Sequence, residues 1–100
     1  MRLGILVTTE RMPQRVAGLA RAALAGGHAV RIFATDVGTR LLTDPRVSSL
    51  GALPGVTMSY CEVSLRLHGG RPEGLPPVIQ SGSQLENALM YAESDKVIVL

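Results

Sequence analysis

The stretch that decides the fold opens with Leu3-Gly-Ile-Leu-Val7 and closes with His28-Ala-Val-Arg-Ile-Phe-Ala34. The opening segment is short, apolar and β-branched at its end, so it reads as a strand buried on both faces. Thr8-Thr-Glu-Arg-Met-Pro13 is a loop, with Pro13 suited to a first helical turn. Val16, Leu19, Ala20, Ala23 and Leu24 then follow the i, i+3, i+4, i+7, i+8 spacing of an amphipathic helix. Gly26-Gly27 stops that helix, one glycine being free to turn left-handed, and His28 to Ala34 is a second strand. A strand, a helix and a strand joined over this length pair parallel through a right-handed crossover.

The pattern repeats outward. Asp36-Val-Gly38 reads as a turn with Gly38 at a strand end, Thr39 to Thr43 as a short helix ended by Asp44-Pro45, and Val47 to Leu53 as another. Val56-Thr-Met-Ser-Tyr60 is a third strand and Glu62 to His68 a helix. Gly69-Gly-Arg-Pro-Glu-Gly-Leu-Pro-Pro77 opposes helix and ladder alike and is a candidate lid or subunit-contact loop. Val78-Ile79 is a candidate short strand. Ser83 with Glu86 predicts a capping box, and Leu85, Ala88, Leu89 and Ala92 an apolar stripe to pack inward. Lys96-Val-Ile-Val-Leu100 is read as a final buried strand. Strands alternating with helices predict an α/β domain over residues 1–100, its mostly parallel sheet of four to five strands covered on both faces.

The totals fit one globular domain: 46% of residues are hydrophobic and 18% charged, too apolar for a disordered tail. No apolar run approaches the ~20 residues of a membrane span. Nine arginines and one lysine are scattered, the net charge is +2, and only Phe33, Tyr60 and Tyr91 are aromatic, so no nucleic-acid surface is expected. Cys61 is the only cysteine, which forbids an intrachain disulfide; with no leader pattern at the start, a cytoplasmic location is expected.

In a doubly wound sheet, ligands bind outside the carboxyl ends of the strands. That edge collects Thr8 and Thr9, Asp36 to Gly38, Cys61 and Ser81-Gly82-Ser83. Cys61 has two readings: a thiolate nucleophile favoured by N–H groups at a strand-to-helix junction, or a small apolar residue filling a core. Arg66 and the helix N-terminus lower its pKa in this reading, and Glu62 raises it. With no resolving cysteine, a sulfur on Cys61 has to pass to a thiol elsewhere. His68, two helical turns or ~10 Å further on, is beyond hydrogen-bond reach and reads as a helix-end residue; His28 reads as structural. Thr8-Thr9 and Ser81-Gly82-Ser83 suit turn and cap, and secondarily anion contacts. No metal-ligand spacing and no Gly-rich phosphate loop occurs, so no metal or cofactor is expected.

Met1-Arg-Leu-Gly-Ile-Leu-Val-Thr-Thr9, Gly27-His-Ala-Val-Arg-Ile-Phe33, Cys61 at a strand end, Arg66 to Gly69, Gly82-Ser83 opening a helix, and Ala92 to Leu100 stand in the order and spacing of one family. Across essentially its whole length the chain resembles the DsrE/DsrF/TusD sulfur-relay proteins. The resemblance implies a flavodoxin-like three-layer sandwich that assembles as a homo- or hetero-oligomer, commonly a trimer or hexamer. It implies a sulfurtransferase role in which Cys61 carries a persulfide from a sulfur-donor protein to a sulfur-acceptor protein. Thr8, Thr9, Ser64, Arg66, His68, Gly82 and Ser83 are then candidates for binding or tuning. The alternatives are a non-catalytic subunit of the same fold and a nucleotide- or flavin-binding Rossmann-like module, for which Gly26-Gly-His-Ala-Val30 would be suited.

Overall fold

The computed structural model describes residues 1–100. Five strands form one sheet: β1 (Arg2–Val7), β2 (Ala29–Ala34), β3 (Val56–Cys61), β4 (Ile79–Gly82) and β5 (Lys96–Val99). Their order is β4-β3-β2-β1-β5 and every pairing is parallel. Four α-helices accompany them: α1 (Pro13–Ala25), α2 (Pro45–Ser48), α3 (Glu62–Leu67) and α4 (Gln84–Glu93). Short 3-10 segments span Asp36–Thr43, Ser49–Ala52 and Pro72–Gly74. The parallel, doubly covered sheet is the one that the alternation predicts, and the architecture is the flavodoxin-like α/β sandwich that the resemblance implies.

The strand order runs one way from β1 to β4 and then reverses to β5. Right-handed crossovers therefore put the first three connections on one face and the last on the other. Strand alternation divides the side chains accordingly. Leu3, Ile5 and Val7, Val30, Ile32 and Ala34, and Val56, Met58 and Tyr60 enter a core of 18 buried residues with Val16, Leu42, Leu50 and Leu65 from the connections. On the opposite face Leu6, Phe33 and Cys61 meet Met90 of α4 in a separate cluster of four, with Val97 of β5 packed against it.

Helix ends follow the glycines. At the end of α3, Gly70 N–H donates to the Leu65 carbonyl at 2.8 Å and Gly69 N–H to that of Arg66 at 3.2 Å, a Schellman closure. It needs the left-handed backbone that Gly69 adopts at φ 86°. Gly38 is required for another reason: a Cβ there would stand 2.2 Å from the Val7 carbonyl oxygen.

The structure corrects four expectations. Asp36 to Thr43 is one 3-10 segment, not a turn followed by a helix, and Gly38 lies inside it. The short strand continues through Ser81 and Gly82, which pair with Tyr60 and Cys61; its polar residues suit a sheet edge. The stripe Leu85, Ala88, Leu89, Ala92 faces solvent, with Leu85 61% and Leu89 43% exposed, while Met90 is fully buried. Glycines set that phase: Gly82 leaves room for Glu86 and Gly4 for Met90, whose atoms would lie 2.6 Å and 2.9 Å from a Cβ at those positions. Finally, β5 is an edge strand with β1 as its sole neighbour, and Val99 is 54% exposed.

Candidate functional site

Cys61 closes β3 and stands immediately before the first residue of α3. It is an interior-strand position, with β2 and β4 on either side. Alternation turns its side chain to the α4 face, and only 7% of the residue is accessible. Burial is the largest single influence on the thiol and pushes its pKa up. The polar groups around the sulfur, the Ser64 hydroxyl and N–H, the Gln84 side chain and the Val63 N–H, favour the thiolate and together outweigh it. The net effect holds the thiol below its ordinary value even though the sulfur is largely desolvated.

Those donors are themselves held. Asn87 Nδ2 donates to Gln84 Oε1 at 3.2 Å, and Gln84 Nε2 donates to Thr35 Oγ1 at 3.0 Å. Thr35 Oγ1 is 3.3 Å from Ser64 Oγ. With Ser64 donating to the sulfur, Thr35 donates to Ser64, and each link from Asn87 onward is aimed the same way. Aligned hydrogen bonds polarise one another, which strengthens the last of them.

Of the residues that the sequence singled out, Ser64 reaches the sulfur. Gly82 is its register partner on β4, and Ser83 caps the helix that carries Gln84, accepting from Leu85 N–H at 3.2 Å. Glu62 is occupied elsewhere: it accepts from the Ser81 hydroxyl at 2.6 Å and Arg66 Nε at 3.2 Å, and both bonds lower its own pKa. Arg66 is therefore paired on the helix surface and is not brought to the sulfur. His68 caps the end of α3 and its Nε2 lies 3.0 Å from Asp36 Oδ1. Thr8 and Thr9 lie between β1 and β5, where both N–H groups donate to the Leu100 carbonyl. With β2 between them and β3, they do not join the cysteine.

Thr35, Gln84 and Asn87 were missed. Thr35 follows β2 at the same edge, and Gln84 follows the Ser83 cap, so both positions were available from the strand and capping patterns. Their convergence was not, because it joins residues 49 apart in sequence. No three His, Cys, Asp or Glu side chains come together, and no helix is long and apolar enough to cross a membrane.

Two solved structures share this fold over nearly their entire lengths. The MTH1491 protein of Methanobacterium thermoautotrophicum, described as of unknown function, superposes with a TM-score of 0.80 at 17% identity, covering 99% of this chain and 98% of that one. The ychN protein of E. coli gives 0.72 at 12% identity, covering 100% and 99%. At such identities the likeness is one of fold alone. No protein-family model and no curated protein sequence matches the chain.

Proposed function

We propose that this protein is a sulfur carrier. The Cys61 thiolate attacks the terminal sulfur of a donor persulfide, forming a new S–S bond as the donor leaves as a thiolate. An acceptor thiolate then attacks the terminal sulfur of the Cys61 persulfide and releases the Cys61 thiolate. Each step exchanges one S–S bond for another, so no outside oxidant or reductant is consumed. The observation that carries the reading is the polarised donor set on a lone, acidified sulfur at the carboxyl edge of the sheet. The same donors suit either anion, the thiolate before transfer and the persulfide after it.

Donor and acceptor are proteins in this reading, and the setting is the cytoplasm. A homo- or hetero-oligomer, a trimer or hexamer, is the assembly proposed. The outward stripe of α4 and the exposed Val99 of β5 supply an apolar face for it. Exposure to a persulfide donor followed by mass measurement tests the chemistry. One added sulfur atom is expected on the wild type and none on Cys61→Ser; no addition, or equal addition to both, ends the proposal.

A second reading, a non-catalytic subunit of the same fold, draws on one observation: Cys61 is buried against Leu6, Phe33 and Met90 and lines none of the three surface clefts. Titration of the native protein with a bulky thiol reagent separates the two. Rapid labelling supports the carrier; labelling only on unfolding supports the subunit.

A further inference from the structure

A cleft of about 470 Å³ lies at the opposite end of α3 from Cys61. Its apolar wall is Leu65 and Leu75, both buried, and it is also lined by Arg40, His68 and Arg71. None of its ten lining residues is acidic. Its volume is in the range of small-molecule sites, about 300–1,000 Å³.

The cations are largely unspent. Arg40 gives one Nη to Glu10 at 3.2 Å in an exposed pair, a weak tie that leaves most of the guanidinium free. Arg71 makes no ion pair, and its backbone N–H has no acceptor within the chain. The His68 ring is turned to Asp36. The wall is closely packed: the Schellman closure of α3 ties down the chain leading into Arg71, and a Cβ at Gly70 would lie 2.5 Å from Leu65 Cδ1. A planar guanidinium fork matches an oxyanion in two-pronged fashion, and a preformed wall lowers the ordering cost of binding.

We propose that this cleft binds a phosphate-bearing small molecule, with its oxyanion on Arg40 and Arg71 and its body against Leu65 and Leu75. The site is separate from the sulfur chemistry and gives the Gly69–Pro77 loop a role as a binding wall.

Amide chemical shifts of the full chain, followed at constant ionic strength, test it with inorganic phosphate and phenyl phosphate as probes. Saturable shifts at Gly69, Gly70 and Gly74 are expected, with phenyl phosphate the tighter ligand. Arg71→Gln weakens both by about tenfold, the scale of one lost charge-assisted hydrogen bond. Arg46→Gln, whose guanidinium is held by Asp44 outside the cleft, and Cys61→Ser both bind as the wild type does. Arg40 and Arg71 are exposed, so the remaining resonances report whether the variants stay folded. Shifts that do not saturate, that chloride reproduces, or that survive Arg40→Gln with Arg71→Gln overturn the proposal. Phenyl phosphate binding no tighter than inorganic phosphate overturns it as well.

Discussion

At the residue scale the protein turns on how a buried thiol stays acidic. Removing one donor tests that directly. Ser64→Ala deletes the hydroxyl on the sulfur and unhooks the Thr35–Gln84 chain behind it, so iodoacetamide alkylation near neutral pH slows by about tenfold and its pH profile moves to higher pH. Gln84→Leu moves the profile the same way by less. The acidity also has a stability consequence. Because the folded thiol titrates below its ordinary 9.0, thiolate stabilisation is fully present above that value and is lost as pH falls through the folded pKa. Denaturation of wild type and Cys61→Ser across that window shows the wild type gaining relative stability as pH rises. The direction of the shift was open in the sequence, where Glu62 and Arg66 stood near the cysteine with opposite signs. They spend their charges on each other and on Ser81, and uncharged donors decide the outcome.

At the element scale the site depends on where α4 begins. Ser83 and Glu86 close a capping box, which places Gln84 beside the sulfur. Ser83→Ala costs about 1 kcal/mol, or roughly 4–8 °C in Tm for a domain of this size, and slows thiol labelling at the same time. Bonds from the Ser83 and Glu86 N–H groups hold the Glu86 carboxyl below its ordinary 4.5. Its contribution to stability is therefore present above that pH and fades as pH falls through the folded value; Glu86→Gln removes that part of the acid transition in a pH series of thermal melts. The box was legible because it is local: two side chains three residues apart. The face that α4 buries was not. Apolar spacing alone assigns Leu85, Ala88, Leu89 and Ala92 to the core, whereas Gly4 and Gly82 admit Met90 and Glu86 instead. Gly38→Ala tests a second contact of this kind: its Cβ meets the Val7 carbonyl, and chemical denaturation is expected to show a loss of about 3 kcal/mol.

At the scale of the whole molecule, the alternation of strand and helix made the class of fold readable, and β1, β2 and β3 fell close to their predicted limits. β4 was read short because Gln80 and Ser81 are polar, as an edge strand tolerates and an interior one does not. β5 was read as buried because Lys96-Val-Ile-Val-Leu100 has an interior composition. In the single chain it is an edge, and the apolar side of α4 is also left uncovered. Both residue sets have the character of surface that an assembly covers. Leu85→Asp with Leu89→Asp is expected to lower the mass found by analytical ultracentrifugation while the far-ultraviolet circular dichroism stays unchanged. A wild type that sediments as a monomer removes the proposed assembly.

The pairing of Leu3 with Lys96 also imposes an order on biosynthesis. β1 ends at Val7, and the strand that covers its outer edge is made only after β2, β3 and β4. Until residues 96–99 emerge, a row of β1 amides and carbonyls stays open to water or to a neighbouring nascent chain. A polypeptide stalled short of that point holds four strands and a bare flank, and is expected to be captured by chaperones or to aggregate where a chain carrying residues 96–99 does not.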